Sequence, residues 1–324
     1  MAAKPAPTLF ATMPDGGRGG DLVLIQGGRQ ALNILTANDA GRVAALFEHS
    51  FYIAFDNRWV CLGAGSLPLG PLNVRTSAPD GVVWETSGLR IGDRVSSSPG
   101  SLRVGQALAF SVGDVVPWTP PAPPPWTVLT VKAGLDGLNR PVGMAADEGL
   151  AGFVLGEPSR VARNRVTAAA RQPIAVLSRA VECAFRELPL KISDIEDAVI
   201  DLLGLGPGLT PSGDDFLGGM LIALTILPAP TLRAHLQDVI ERHAQQRTNA
   251  VSLAHLRAAG SGEGHEALHK IFNSLLGGNM SALPVHVGAI NAIGHSSGWD
   301  ALAGMCVTLC AYLAAQRVAV PIHA

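Results

Sequence analysis

The chain has 324 residues, which corresponds to about two domains at ~150 residues each. Hydrophobic residues make up 48% of the sequence, which excludes an intrinsically disordered protein. The net charge is −2, from 24 Lys plus Arg against 26 Asp plus Glu, and no basic block occurs, so we expect neither nucleic-acid nor membrane binding. The four scattered cysteines and the absence of an apolar leader predict a reduced, cytoplasmic protein.

The first half of the chain has the pattern of short strands joined by tight turns. β-Branched or aromatic runs alternate with Gly, Asp-Asn and Pro-Gly turn signals. The predicted strands are Asp21–Leu24, Phe51–Phe55, Trp59–Leu62, Val82–Glu85 and Leu108–Val112. This spacing predicts a small β-barrel or sandwich. The proline-rich run Pro117–Pro125 excludes a central strand or a helix, and it predicts a surface loop of the first domain.

The second half has the apolar spacing of helices. The predicted helices are Ser159–Arg171, Ile174–Arg186, Ser193–Leu203, Asp215–Leu227, Leu232–Arg247, Val251–Ala259, Glu266–Leu276, Pro284–Ile293 and Trp299–Arg317. The apolar stretch Ala301–Ala315 is shorter than a membrane span, which predicts a buried core helix. The sequence therefore predicts an α+β protein, with a β-rich domain over residues 1–155 and an all-α domain over residues 156–324.

One glycine-rich segment, GLGPGLTPSGDDFLGGM over residues 204–220, stands directly before a predicted helix. Its glycines allow a turn with positive φ and a close approach of the backbone to a ligand. A helix that begins at Thr210-Pro211-Ser212 would direct free amides and a positive dipole end into that turn, an arrangement that binds anions. The segment matches neither a Walker A loop nor a dinucleotide fingerprint.

A second copy of the same pattern follows 85 residues later. Ser212 to Met220 and Ser297 to Met305 share the pattern Ser-Gly-x-Asp-x-Leu-x-Gly-Met. The alternative interpretation is a capping box, in which Ser and Asp only satisfy the amides of a helix start. That interpretation leaves the upstream glycines and the doubled acidic pair of the first copy unexplained. The repeat predicts two helix starts that meet at one polar, anion-binding pocket.

The run GLGPGLTPSGDDFLGG, the downstream Thr248 and Ser252, and the run IGHSSGWDALAGM together resemble the AllH-type subunit of oxamate carbamoyltransferase. The resemblance is specific over about residues 200–310 and is thinner upstream, where Leu69-Gly70-Pro71-Leu72-Asn73 fits the family. It implies phosphorolysis of oxalurate to oxamate and carbamoyl phosphate in allantoin and purine degradation. It also implies companion subunits, among them an FdrA-like protein, and a small anionic substrate.

The needs of that reaction assign roles to the residues of both motifs. Phosphate needs donors, which the glycine turn and the helix start supply, and the leaving nitrogen needs a proton, for which His295 is the titratable candidate. The predicted catalytic residues are Ser212, Asp215, His295, Ser297 and Asp300. The predicted binding residues are Gly206, Gly208, Thr210, Gly213, Asp214, Thr248, Ser252, Ser296 and Gly298. No cofactor is certain, although Mg²⁺ or K⁺ at the acidic cluster would offset its charge.

Two other functions stay open from the sequence. The first is a non-catalytic subunit that assembles the complex or senses a small anion. The second is a zinc peptidase, because His265-Glu266-Ala267-Leu268-His269 matches the H-E-x-x-H pattern. A catalytic zinc needs a third protein ligand, and no Glu follows Glu266. His286, in an apolar helix, is interpreted as a satisfied core histidine.

Overall fold

The computed structural model describes residues 22–106, 108–138, 149–155 and 165–317. Its contacts divide the chain into two compact units, Met1–Thr119 and Pro120–Ala324. The first unit is an eight-stranded β-barrel and the second is mostly helical. The division falls earlier than the predicted boundary near residue 155. The helix Val128–Leu138 belongs to the second unit because it packs closely on the later helix Glu266–Gly277. A Cβ on Gly134 of the first helix would lie 2.2 Å from the Leu275 carbonyl oxygen of the second.

The described part of the first unit contains nine strands and one α-helix. The strands are β1 (Leu22–Gly28), β2 (Ala40–Leu46), β3 (Ser50–Phe55), β4 (Arg58–Gly63), β5 (Asn73–Thr76), β6 (Arg94–Ser98), β7 (Ser101–Val104), β8 (Leu108–Ser111) and β9 (Val116–Trp118), and helix α1 (Arg29–Ala37) follows β1. The sheet order is β5-β4-β3-β2-β6-β7-β8-β1-β9. An antiparallel pairing of β1 with β5 closes the first eight into a barrel. The structure thus decides between the barrel and the sandwich that the sequence left open.

Tight turns set the register of the barrel hairpins. In β3–β4, Phe55 pairs with Arg58, so Asp56 and Asn57 form a two-residue loop, and Asp56 adopts φ 55°. The barrel interior is filled by large buried side chains from alternate strand positions, among them Phe51, Ile53 and Phe55. The last strand, β9, contains Pro117 and pairs only with β1, which fits the confinement of proline to sheet edges.

Two sequence predictions in this unit differ from the structure. Val82–Glu85 is not a strand, because the chain forms a 3₁₀ turn at Trp84–Thr86 that buries Trp84 completely and bonds its amide to the Glu48 carbonyl. A short apolar run in the sequence does not distinguish a buried turn of this kind from a strand. The proline-rich run supplies β9 and then continues past Thr119 into the second unit, so it is not a loop within the first unit alone.

Every regular element that the structure describes after Thr119 is a helix. These are α2 (Val128–Leu138), α3 (Gly152–Leu155), α4 (Arg165–Phe185), α5 (Ile192–Leu202), α6 (Ser212–Ile226), α7 (Pro230–Arg247), α8 (Ala250–Gly260), α9 (Glu266–Gly277), α10 (Leu283–Ile290) and α11 (Ser297–Arg317). Helices α5 to α11 match the predicted segments to within a few residues. The predicted helices at 159–171 and 174–186 form one helix, α4, which contains Pro173, and residues 159–164 lie outside the described chain.

Helices α6 and α11 form the centre of this unit. Both are apolar on all sides, and nearly every side chain of α6 is buried. Of the described helices, α11 is the one long and apolar enough to cross a membrane, with mean hydropathy 1.4 over Ser297–Gln316. Most of it, 83%, is buried inside the unit. This is the buried core helix that the sequence predicts.

Candidate functional site

Each copy of the repeated motif begins a central helix, as predicted. Helix α6 begins at Ser212 and α11 begins at Ser297. The residue that caps α6 is Pro211, and no side chain makes a capping hydrogen bond there. Ser212 is already the first helical residue, so the capping-box interpretation is wrong for the first copy.

The repeat extends to the helix that precedes each motif. Gly213 donates its amide to Leu205 and Gly298 donates its amide to Ile293, over 2.9 and 3.1 Å. A Cβ on Gly213 would lie 2.0 Å from the oxygen of Leu202, at the end of α5, and a Cβ on Gly298 would lie 2.5 Å from that of Ile290, at the end of α10. Each motif is therefore the turn of a helix–turn–helix unit, α5–α6 or α10–α11, that is held together by the same contacts.

The two helix–turn–helix units cross each other symmetrically. A Cβ on Gly219 would lie 1.8 Å from the carbonyl oxygen of Ala301, and a Cβ on Gly304 would lie 2.0 Å from that of Phe216. Gly219 and Gly304 are equivalent in the repeat, as are Phe216 and Ala301. Only glycine permits this distance between the two backbones. The crossing therefore relates the two copies by an approximate two-fold axis.

The crossing brings the two helix starts into contact. The hydroxyls of Thr210 and Ser297 are hydrogen-bonded at 2.8 Å, which joins the first copy to the second. The hydroxyl of Ser297 is hydrogen-bonded to the carboxyl of Asp215, and the hydroxyl of Ser212 is hydrogen-bonded to the carboxyl of Asp300. The serine of each copy thus faces the aspartate of the other, and the predicted meeting of the two segments is confirmed. We call these five residues the junction.

Asp300 is fully buried and both of its oxygens accept hydrogen bonds. Oδ1 accepts from the Leu150 amide at 2.5 Å and Oδ2 accepts from Ser296 Oγ at 2.9 Å. Burial raises the pKa of this carboxyl, whereas the donors Leu150, Ser212 and Ser296 lower it. The contact with Leu150 also leaves no room for a side chain at Gly149, where a Cβ would lie 2.2 Å from Oδ1.

Asp215 has a different environment from its equivalent, Asp300. The residue is partly exposed, but its Oδ2 is buried and accepts no hydrogen bond from any residue that the structure describes. Burial raises the pKa of Asp215 well above its usual range, and the charge of Asp300 raises it further. The hydroxyls of Ser297 and Thr210 lower it by less. The positive dipole ends of α6 and α11 also lie at these carboxyls.

Asp214 holds the glycine turn and a third helix together. Its Oδ1 accepts from the Gly204 amide at 2.8 Å, and its Oδ2 accepts from Ser252 Oγ at 2.6 Å and from the Thr248 hydroxyl. Burial raises its pKa, and these three donors lower it. Thr248 and Ser252 therefore bind a carboxylate, while the neighbouring Asn249 caps α8 by accepting the amides of Val251 and Ser252.

The three glycines of the turn have positive φ, as predicted, with values of 77° at Gly204, 110° at Gly206 and 103° at Gly208. Gly204 packs on the Arg247 carbonyl and Gly206 packs on Ser212, so both serve the packing of the turn. Gly208 is exposed, with open space around it.

The first amides of α6 differ from the expectation of a free helix start. Gly213 donates to Leu205, and Asp214 and Asp215 both donate to the Pro211 carbonyl. In the described part of the chain, the amides of Gly208 and Leu209 donate to no other residue. Donors for an anion therefore lie in the turn, at Gly208 and Leu209, whereas the amides of Gly213, Asp214 and Asp215 are used inside the chain.

The remaining predicted site residues lie in the turn before α11. Ser296 bonds to Asp300, and Gly298 packs on the end of α10. His295 is exposed. The structure brings the five predicted site residues of the junction together. It places Asp214, Thr248 and Ser252 in a separate hydrogen-bonded group, which begins at the residue before Asp215.

Comparison with known proteins gives a match to the segment that contains both groups. A family model described as oxamate carbamoyltransferase subunit AllH matches residues 202–309. Over these residues, the chain resembles AllH. The match begins at the end of α5, ends within α11, and so includes both turns, Thr248, Ser252 and His295. No solved structure matches the chain.

One contact of the junction lies outside the AllH match and was missed by the sequence analysis. Leu150 supplies a backbone amide to Asp300 across 150 residues of sequence. Thr167 on α4 fixes the same segment by donating to the Gly149 carbonyl at 2.6 Å. A backbone donor carries no residue-type signal, so no motif could have revealed it.

The H-E-x-x-H pattern at residues 265–269 is explained by local structural contacts. His269 is buried and its Nε2 accepts the Gly264 amide at 2.9 Å, while burial lowers its pKa to about 4. Glu266 forms an ion pair with Lys270 at 3.0 Å. Across the described ranges, no group of three or more His, Cys, Asp or Glu is arranged to hold a metal ion. His286 is half-buried, and its Nδ1 is bonded to Ser274 Oγ at 2.9 Å.

Proposed function

We propose that this chain is a subunit of an oxamate carbamoyltransferase and that the junction of its two helix–turn–helix units is the substrate site. The observation that carries the proposal is the coincidence of two independent features. The AllH match covers residues 202–309, and the same residues contain the buried pair Asp215 and Asp300 with the hydroxyls that face it. In this role the chain acts in purine degradation beside companion subunits, one of them FdrA-like.

The reaction assigned to the complex is phosphorolysis of oxalurate to oxamate and carbamoyl phosphate. Phosphate binds at the amides of Gly208 and Leu209, where the exposed glycine turn leaves donors free. The hydroxyls of Thr210 and Ser297 lie beside the turn and donate to the carbamoyl oxygen, on which negative charge develops during attack. His295, in the exposed turn before α11, is one candidate for the proton donor.

The acidic residues of the junction must not repel a bound phosphate. A proton held by Asp215 leaves the pair of Asp215 and Asp300 with a single negative charge. A Mg²⁺ or K⁺ ion between phosphate and the pair would have the same effect. The two alternatives are separable, because a cation site requires added metal for phosphate binding and a proton does not.

The experiment is reconstitution of the complex from the purified chain and its companion subunits. We expect formation of carbamoyl phosphate from oxalurate and phosphate by the complex, and loss of turnover of about 10²-fold or more when Thr210→Val or Ser297→Ala is introduced. The matched control is Thr225→Val at the other end of α6, where the hydroxyl donates to the Ile222 carbonyl within the same helix. This control should retain full turnover.

A second function, assembly or anion sensing without catalysis, is favoured by one observation. The amides of Gly213, Asp214 and Asp215 and all three donors to Asp214 are used inside the chain, which is what a purely structural motif would show. If companion subunits without this chain turn over oxalurate at the rate of the complete complex, the assembly role replaces the catalytic one.

A further inference from the structure

The two equivalent aspartates of the junction differ in their donors, and one difference lies within the repeat itself. In the second copy, Ser296 donates its hydroxyl to Asp300 Oδ2 at 2.9 Å. In the first copy the equivalent position is Pro211, since the amides of Asp215 and Asp300 bond to the carbonyls of Pro211 and Ser296 respectively. Proline has no side-chain donor, and Asp215 Oδ2 is buried without a hydrogen-bond partner among the residues that the structure describes.

This difference decides where a proton resides. A buried carboxylate oxygen without a donor is destabilised, whereas protonation converts it into a donor and removes the charge. The charges that act on Asp215 are those of Asp300 on α11 and Asp214 on α6, both negative. In the described ranges, no Lys or Arg forms an ion pair with any of the three. Asp300 has donors on both oxygens, which stabilise its charged form more than the donors of Asp215 do.

We propose that Asp215 is the acid of the junction and that its Oδ2 delivers the proton to the leaving nitrogen of the carbamoyl donor. This inference rests on the proposed function for its substrate, and it assigns to Asp215 the role for which the sequence suggests His295. The buried oxygen lies at the meeting point of both helix starts, next to the hydroxyls that face the carbamoyl group. His295 lies in an exposed turn, outside this meeting point.

The step balances in atoms and charge. An unprotonated oxygen of hydrogen phosphate forms a bond to the carbamoyl carbon, and the bond from that carbon to the nitrogen of the oxamate moiety breaks. The electron pair of the broken bond stays on the nitrogen, which takes the proton of Asp215 and leaves as the amide of oxamate. The remaining proton of the phosphate group then passes to the Asp215 carboxylate, which restores the acid and leaves carbamoyl phosphate as the dianion.

The first test reads the proton directly on the full chain, without substrate or partner. We expect the infrared spectrum at neutral pH to contain the carbonyl stretch of a protonated carboxylic acid. The band should be lost in Asp215→Asn and kept in Asp214→Asn, the matched control on the same turn. Should Asp214→Asn fail to fold, Asp215→Glu is the second variant, and its band should move in frequency. No such band in the wild type, or the same band in Asp215→Asn, would overturn the assignment.

The second test reads the role of the proton in the reconstituted complex. Turnover should fall as pH rises through the raised pKa of Asp215, because the acid must be protonated to act. Asp215→Asn should lose about 10²- to 10⁴-fold in turnover and the basic limb of the pH profile, and Asp215→Glu should restore part of both. If Asp215→Asn keeps the wild-type pH profile, the catalytic role is wrong even where the band is present. If the wild-type complex does not act on oxalurate, the proposed function fails and the infrared result stands by itself.

Discussion

Replacement of Gly219 by alanine tests the crossing that positions the junction. The new Cβ would lie 1.8 Å from the Ala301 carbonyl oxygen, against about 3.4 Å for an ordinary contact, so α6 and α11 must separate by about 1.6 Å. Both groups are parts of buried helices and neither can rotate away. Forced separation of a packed core costs about 1–3 kcal/mol, and we expect Gly219→Ala at the upper end of that range.

The neighbouring Gly218 is the matched control. A Cβ there would lie 3.5 Å from the Ala259 Cβ, which is an ordinary contact. Because alanine favours a helix over glycine by about 0.5–1 kcal/mol, Gly218→Ala should stabilise the protein. The two variants therefore change stability in opposite directions, although they add the same methyl group to adjacent residues.

The assay is denaturant unfolding of the full chain, with the free energy of unfolding taken from the midpoint at constant slope. The symmetric variant Gly304→Ala should cost about as much as Gly219→Ala. The double variant should cost less than the sum of both, because one separation of the helices relieves both contacts. A cost below about 0.5 kcal/mol for Gly219→Ala, or equal shifts at Gly218 and Gly219, would refute the close crossing.

Three further outcomes follow from the site. Asp214→Asn should lower the free energy of unfolding by about 1–3 kcal/mol in thermal melts, because the oxygens of Asp214 accept three hydrogen bonds. Asp215→Asn should leave the melting temperature nearly unchanged near neutral pH. Equal losses in the two variants would contradict their separate roles. Burial raises the folded pKa of Asp215 above its ordinary value of 3.8, so the free energy of unfolding should fall as pH rises from that value to the folded pKa. This slope should be absent from Asp215→Asn in urea titrations. Gly208→Val should weaken the binding of inorganic phosphate, measured by calorimetry. Gly204→Ala, whose Cβ would meet the Arg247 carbonyl, should mainly lower stability. Equal phosphate affinity in Gly208→Val and the wild type would show that the turn is only structural.

The sequence predicts the helices of the second unit well because each shows a long apolar period. It misses α2 (Val128–Leu138), which contains Gly134 and Gly137 and follows a proline-rich run. Those glycines are unfavourable within a helix, and they are there because Leu275 and Met280 lie against them. Tertiary contact therefore determines this helix, and local propensity does not reveal it.

The site could be predicted from the sequence as far as its repeat. The shared pattern identified Asp215 and Asp300 as equivalents and led to the expectation that the two segments meet. The same 85-residue offset pairs Pro211 with Ser296, but the sequence could not show that the Ser296 hydroxyl donates to Asp300 Oδ2, or that Asp215 Oδ2 is buried without a donor among the described residues. The difference between the two aspartates depends on these contacts, and for that reason it became visible only in the structure.

The bond from Leu150 to Asp300 makes a distant backbone segment sensitive to the charge of the junction. The amide of Leu150 donates to a carboxyl oxygen of Asp300, so its nuclear magnetic resonance shift should follow the protonation of Asp300. The same bond protects this amide from exchange with solvent, together with the Thr167 contact that holds Gly149. A ligand that displaced Asp300 would release residues 149–155, and deuterium uptake there would report an event at two helix starts, Ser212 and Ser297, that lie 62 and 147 residues beyond Leu150 in the chain.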